Sequence, residues 1–245
     1  MFSSKQIKKF LEFASFIVSL GIVISPTAIL ANNQQPVRQT NQQTNRNHNT
    51  TQIINGGLPT NRRDGGSRGS CGFSERLGFV ALVPESGVNL SASASPKLYF
   101  HLPETTREQT LELVLRDAAD RLVYEQFLTV SGKSGIMSVE IPLPTAQKSQ
   151  RAENNYHWYL SSICDPQNRS QDIVLEGWIG HRQISEAKQQ KLANLSAQEK
   201  FNFYKDQGFW HDSLELATQD RTQWSQLLTE IDLNEFSDVP LIAAE

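Results

Sequence analysis

Two short stretches decide the fold: Lys97-Leu-Tyr-Phe-His-Leu102 and Thr110-Leu-Glu-Leu-Val-Leu-Arg116. Each places a large apolar residue at every second position, which is the spacing of one face of a β-strand. An α-helix would instead repeat its apolar residues every three or four positions. Both stretches are therefore predicted to be strands that turn one face toward a core.

Seven such stretches lie between residues 71 and 182, separated by turn-forming residues. The predicted strands are 77–83, 97–102, 110–116, 121–130, 136–141, 156–164 and 172–179. No helical crossover lies between them, which excludes a doubly wound parallel sheet. The sequence therefore predicts an all-β, immunoglobulin-like antiparallel sandwich. Pro142 and Pro144 followed by Tyr156 favour this comparison, because a tyrosine at the start of the sixth strand pins the preceding corner in such domains.

From residue 183 the apolar spacing becomes helical, which predicts a small α-helical region over 183–235 and a tail at 236–245. Ser196-Ala-Gln-Glu199 is a capping box at the start of a helix, and Gly208 is placed to end that helix. Residues 203–214 resemble half of a tetratricopeptide-type helix pair, although a single copy excludes a repeat array. We expect a helical hairpin or short bundle. Its predicted aromatic core residues are Phe201, Tyr204, Phe209 and Trp210.

The first 31 residues have the layout of a secretory signal peptide. Lys5, Lys8 and Lys9 precede an apolar run over residues 10–24 that only Glu12 interrupts, and Pro26 ends the run. The run has about 15 residues, fewer than the roughly 20 of a spanning helix, so cleavage is favoured over a membrane anchor. These features predict an exported protein, periplasmic or extracellular, with no membrane span after cleavage.

Residues 32–70 are predicted to be a disordered linker. Seventeen of the residues 32–55 are Asn, Gln or Thr, and a Gly/Arg-rich stretch follows them. Without residues 1–31 the chain carries 20 basic and 25 acidic residues, a balance that argues against a nucleic-acid partner. The linker is basic, whereas residues 183–245 hold five basic and eleven acidic residues, so the two regions could attract each other.

The sequence contains two cysteines, Cys71 and Cys164. In an oxidising compartment an even pair favours one disulfide. The alternative is a pair of buried free thiols, and a further alternative is a nucleophilic Cys164.

A set of short motifs resembles one known family. The motifs are Leu113-Val-Leu-Arg-Asp117, Tyr156-His-Trp-Tyr159, Ile163-Cys-Asp-Pro166, Arg169-Ser170, Glu176-Gly-Trp178 and the helical Gly208-Phe-Trp-His-Asp212. Together they resemble the cyanobacterial domain of unknown function 928 family over roughly residues 60–235. The resemblance implies an exported protein of cyanobacterial type. It implies no activity and no catalytic residues.

A Cys–His–Asp hydrolase built from His157, Cys164 and Asp165 is disfavoured. His157 and Cys164 lie an odd number of positions apart on one strand, so their side chains point to opposite faces, whereas a nucleophile needs its base within hydrogen-bonding reach. The five histidines lack the spacing of a metal site. We therefore predict no catalytic residues, no metal and no cofactor.

Five residues are candidates for binding: His157, Tyr159, Asp165, Arg169 and Trp178. The parity of Trp158 predicts that it faces the core, which leaves His157 and Tyr159 outward, and Trp178 is placed for exposure. Asp165 and Arg169 flank a turn, where local pairing is the simpler explanation. The favoured function is a non-enzymatic protein-interaction or adaptor module of the cell envelope. The alternatives are a glycan-binding module, for peptidoglycan or exopolysaccharide, and an enzyme of unrecognised type.

Overall fold

The computed structural model describes residues 58, 60–63, 71, 73, 78–85, 87–144 and 154–242. The predicted signal peptide and most of the predicted linker lie outside these ranges. The strands are β1 Val80–Ala81, β2 Val88–Ser91, β3 Lys97–Leu102, β4 Thr105–Arg116, β5 Leu122–Gly132, β6 Gly135–Glu140, β7 Asn154–Ile163, β8 Ile173–His181 and β9 Leu241–Ile242. The helices are α1 Glu186–Ala193, α2 Ala197–Asp206, α3 Trp210–Ala217 and α4 Arg221–Glu230.

The strands form two mixed sheets. The five-stranded sheet has the order β2-β8-β7-β4-β5, and the four-stranded sheet has the order β1-β3-β6-β9. Most neighbours are antiparallel, but β2 runs parallel to β8 and β9 runs parallel to β6. The prediction of purely antiparallel sheets is therefore wrong at these two pairs. Both involve a strand, β2 or β9, that the sequence pattern did not predict; β9 lies in the segment expected to be a tail.

The two sheets enclose the first hydrophobic core. Leu111, Leu113 and Leu115 are fully buried there, as the alternating pattern predicts. Trp158 is also fully buried, and its ring meets that of Phe100 edge-on with centroids 5.6 Å apart. The predicted inward orientation of Trp158 is thus confirmed.

The predicted corner contact of Tyr156 is present at the same end of β7. Its hydroxyl donates a hydrogen bond of 3.2 Å to the carbonyl of Pro144. The contact ties the start of β7 to the segment that follows β6.

Helices α2, α3 and α4 cover the outer face of the four-stranded sheet, where they form a second core. Helix α1 instead buries Leu192 in a third, smaller cluster with Ile184 and Phe209. To the second core, sheet and helices contribute Val80, Leu82, Tyr99, Ile136, Phe201, Leu214, Ala217, Trp224, Leu227, Leu228, Leu233 and Phe236. Strand β3 is consequently buried on both faces, with Leu98, Phe100 and Leu102 in one core and Tyr99 in the other. The helices pack onto a sheet, and nothing in this packing supports the tetratricopeptide-like description.

The start and end of α2 follow the predicted signals. The Ser196 hydroxyl accepts from the Glu199 backbone N–H, and the Glu199 carboxylate accepts from the Ser196 backbone N–H at 2.8 Å. Gly208 follows the helix with φ of 75°, a conformation that glycine adopts without strain.

Helix α3 attaches the helical layer to the strands through side chains near its start. The Trp210 indole N–H donates to the Leu82 carbonyl at 2.9 Å, and the Asp212 carboxylate accepts from the Ala92 N–H at 2.9 Å. Between them, His211 is only 1% exposed. These residues belong to the Gly208–Asp212 motif, so the motif has a structural role in holding the helices on the sheet.

Arg62 makes a second attachment between the layers. Its guanidinium donates to the carbonyl of Val83 at 3.1 Å and to the carbonyl of Ile231, just after α4, at 2.8 Å. It also pairs with the exposed carboxylate of Glu85 at 2.8 Å. Arg62 lies in the segment predicted to be a linker, yet its side chain is buried.

Candidate functional site

The outer face of the five-stranded sheet brings three of the predicted binding residues together. Strand register places His157 on β7 directly opposite Trp178 on β8, and Tyr159 opposite Glu176. Arg116 on β4 lies on the other side of His157. Since side chains two positions apart share a face, His157, Tyr159, Glu176 and Trp178 form one group, which we call the His157 cluster.

The rings of the His157 cluster are in mutual contact. The imidazole stacks on the Trp178 ring with centroids 4.3 Å apart and 14° between planes, and it lies 4.2 Å from the Tyr159 ring. The Tyr159 hydroxyl is 2.7 Å from His157 Nδ1. The Glu176 carboxylate oxygen is 3.1 Å from Nε2. If Tyr159 donates to Nδ1, the ring proton lies on Nε2, beside the carboxylate.

The surroundings favour a neutral imidazole. Burial lowers the pKa of His157, and the neighbouring Glu176 carboxylate acts in the opposite direction with a smaller effect. Burial, and then the negative charge of Glu176, raise the pKa of the Tyr159 hydroxyl. The cluster therefore holds a neutral imidazole next to a tyrosine hydroxyl with a raised pKa. The His157 side chain is 14% exposed and the Glu176 side chain 30%.

Asp165 and Arg169 lie in the turn between β7 and β8 and serve local structure. The Asp165 carboxylate accepts from the Gln167 N–H at 2.8 Å, the bond of an Asx turn. Arg169 is paired with both Glu112 and Asp172. Neither residue belongs to the His157 cluster, so the structure brings together three of the five candidates and leaves these two apart.

Cys164 carries no free thiol. It is bonded to Cys71, with the two Cα atoms 4.9 Å apart, and this confirms the predicted disulfide. A nucleophilic Cys164 and a pair of free thiols are both excluded in this state of the protein. Across the described ranges, His, Cys, Asp and Glu side chains form no group of three or more that could hold a metal ion.

Strand β5 is a surface that the sequence did not identify as a candidate site. It lies at the end of the five-stranded sheet, with β4 as its partner in that sheet. Phe127 and Leu122 on this strand are each 56% exposed, which is unusual for large apolar side chains on a strand. The alternation of residues 121–130 predicted a strand; its position at an edge depends on the order of strands, which local sequence does not encode.

A small cavity of about 250 Å³ lies near the end of β5. Its walls combine apolar residues with hydroxyl groups and one lysine, and they contain no His, Cys, Asp or Glu. The lining residues are Leu102, Pro103, Thr105, Thr129, Val130, Ser131, Gly132, Lys133 and Ile242. This composition offers no acid–base pair or metal ligands.

None of the helices in the described ranges is both long and apolar enough to cross a membrane. No curated protein matches the chain.

A family model described as Domain of Unknown Function (DUF928) matches residues 63–241, well over half of the sequence. This match agrees with the resemblance of the motifs between Leu113 and Asp212. The chain therefore belongs to the DUF928 family.

Proposed function

We propose that the protein is a non-enzymatic interaction module of the cell envelope that binds protein partners at the free edge of β5. The observation that carries this proposal is the strand itself. It is 11 residues long and exposes Phe127 and Leu122. Among the residues that the structure describes, β4 is its one sheet partner, on one side. A free edge presents backbone N–H and C=O groups to which an extended segment of another chain can add as a further strand.

The composition of β5 supports a binding role. Proteins usually protect long edge strands with lysine, proline or inward-pointing charges. Strand β5 contains neither lysine nor proline, and Glu125 is its one charged residue. An edge of this kind would promote uncontrolled association unless a specific partner covered it.

The proposal includes export of the chain, with residues 1–31 as a cleaved leader. The Cys71–Cys164 disulfide supports it, because such bonds persist in oxidising compartments. A cyanobacterial source remains part of the proposal, on the strength of the family resemblance. The Tyr156–Pro144 contact supports the comparison with immunoglobulin-like sandwiches. Mass determination of the chain purified from the envelope would test the cleavage: an intact amino terminus would contradict it.

Photo-crosslinking in the producing cell tests the β5 site. A benzophenone amino acid would replace Phe127 on β5 and, in a control variant, Val174, which is 37% exposed on the outer face of the same sheet. We expect a discrete protein adduct from position 127 and none from position 174. Equal adducts from the two positions, or no adduct from either, would contradict binding at the edge.

Glycan binding is a second candidate, and the His157 cluster is the observation that favours it. Three aromatic rings lie together on an outer sheet face, next to the acceptor Glu176. Aromatic surfaces with neighbouring polar groups can receive a sugar ring. The test is tryptophan fluorescence during titration with peptidoglycan fragments, with Trp178→Phe as the variant that removes the local reporter. A response that is absent in the wild type, or unchanged in the variant, would count against this candidate.

A further inference from the structure

We infer that a second copy of this chain occupies the β5 edge, as an antiparallel pair of β5 strands related by a two-fold axis at Phe127. This inference names the partner of the site described under the proposed function, and it rests on that function. The pair would join two five-stranded sheets into one continuous sheet. Two properties of β5 lead to this arrangement: its extent on either side of Phe127 and its distribution of charge. The third argument is that the other described sheet edges are short.

Phe127 is the midpoint of β5 by two measures. The strand runs from Leu122 to Gly132, and its regular register with β4 covers residues 124–130. Both ranges are centred on residue 127. An antiparallel pair centred there uses the whole strand of each copy, whereas any other centre leaves residues unpaired at one end of each strand.

With the same centre, the core-facing side chains of both copies lie on one side of the joined sheet. Directly opposite residues in an antiparallel pair point to the same side. With the axis at Phe127, Gln126 lies opposite the partner's Leu128. Tyr124 lies opposite the partner's Val130. Leu128 and Val130 are buried in the first core, so the pair would continue the core face of one sheet into that of the other.

On the outer face the exposed side chains become partners of each other. The two copies of Phe127 would face one another across the axis, and aromatic pairs at such positions stabilise antiparallel sheets. This contact would cover the large exposed ring of each copy. The pairing therefore accounts for an apolar side chain that the isolated chain leaves in water.

The charge of β5 discriminates between registers. Glu125 is the one charged residue of the strand. A pair centred on Phe127 places Glu125 opposite the partner's Thr129, which carries no charge. A pair centred on Glu125 would instead place two carboxylates opposite each other, and like charges at that position are destabilising.

The other sheet edges among the described residues are too short for an equivalent pairing. β2 has four residues, and β1 and β9 have two each. The edge of β8 beside Glu176 is already occupied by Asn61, which exchanges backbone hydrogen bonds of 3.1 and 3.0 Å with it. Within the described ranges, β5 is the edge that can support a long symmetric strand pair.

Cysteine crosslinking of the full chain tests both the dimer and its register. Both natural cysteines are in the disulfide, so an added cysteine supplies the free thiol. Under mild oxidation we expect Phe127→Cys to form a disulfide-linked dimer with itself. Glu125→Cys and Thr129→Cys should each form no disulfide-linked dimer alone, and should crosslink to each other when the two variants are mixed. Val174→Cys is the control on the outer face, where no crosslink is expected.

Sedimentation velocity provides the second measurement. We expect a wild-type dimer that Phe127→Lys converts to a folded monomer, because the side chain is exposed in the single chain. Circular dichroism would verify that the variant remains folded. A monomeric wild type, or crosslinking at position 127 no faster than at position 174, would overturn the inference. If the wild type is monomeric while the photo-crosslinker at position 127 captures a different protein, the self-pairing fails and the proposed function stands. If the wild type is monomeric and position 127 captures no protein, both the self-pairing and the proposed function fail.

Discussion

Acid is expected to weaken the fold through His211 on α3. The side chain is 1% exposed, and burial lowers its pKa from 6.5 to about 4. The backbone of Lys97 has a smaller, opposite influence. The unfolded chain therefore accepts a proton on His211 near pH 6.5, whereas the folded protein resists protonation until about pH 4. Between these values the unfolded state binds more protons, so stability falls as the pH falls.

The size of the effect follows from the pKa difference. Each pKa unit corresponds to about 1.4 kcal/mol. The neutral His211 ring therefore contributes about 3 kcal/mol to the free energy of unfolding above pH 6.5, and this contribution is lost progressively down to about pH 4. Burial raises the pKa of the neighbouring Asp212, which acts in the opposite direction. Comparing the wild type with a His211 variant that retains Asp212 isolates the contribution of His211 to the pH dependence.

The assay is urea unfolding of the wild type and His211→Gln from pH 7.5 to 4.5. The free-energy difference between the two should shrink or reverse in favour of the variant as the pH falls, by about 2 kcal/mol between pH 6.5 and 5. Leu214→Ala is the matched control, since Leu214 is fully buried on the same helix. It should lower stability at every pH and keep the wild-type slope. Parallel pH profiles for the wild type and His211→Gln would refute the reasoning.

Three further predictions concern the two sheets and the disulfide. Gly177→Ala should cost about 2 kcal/mol in urea unfolding, because the added Cβ would lie 2.5 Å from Cζ2 of the buried Trp158; an unaffected midpoint would show that the ring moves freely. Tyr156→Phe should lower the free energy of unfolding by about 1 kcal/mol, because it removes the hydrogen bond from the Tyr156 hydroxyl to the Pro144 carbonyl. An unchanged free energy of unfolding would show that this hydrogen bond does not stabilise the fold. Thiol titration of the denatured, unreduced protein should find no free thiol, and replacing Cys71 and Cys164 by serine should cost up to about 4 kcal/mol. Two reactive thiols would contradict the bridge.

The sequence predicted most elements because their patterns are local. Seven strands fall close to their predicted positions, the helices lie within the predicted region 183–235, and the Ser196–Glu199 capping box begins a helix as its spacing indicated. β2 and β9 escaped prediction for a physical reason. Each is four residues or fewer, and each is paired in parallel with a strand far away in the chain. Such strands exist because a neighbouring edge is available to them, which depends on tertiary structure.

The candidate site was predictable in part. Parity along β7 correctly separated the buried Trp158 from the outward His157 and Tyr159. The register that places Trp178 beside His157 depends on the turn between β7 and β8, so the cluster could not be assembled from the sequence. The exposed edge carrying Phe127 was missed for the same reason: an edge is a property of strand order.

The helices cover an apolar face of the four-stranded sheet, which would be unfavourable in contact with water. Val80, Leu82, Tyr99 and Ile136 point from the four-stranded sheet into the helical layer. A chain truncated before α1 would uncover all four side chains and would also lose β9 from the edge of the same sheet. A contiguous bare apolar patch of this kind drives aggregation. Deletion of the helices would therefore make the fragment adhere to many proteins indiscriminately, and the binding surface is better mapped by point substitutions in the whole chain.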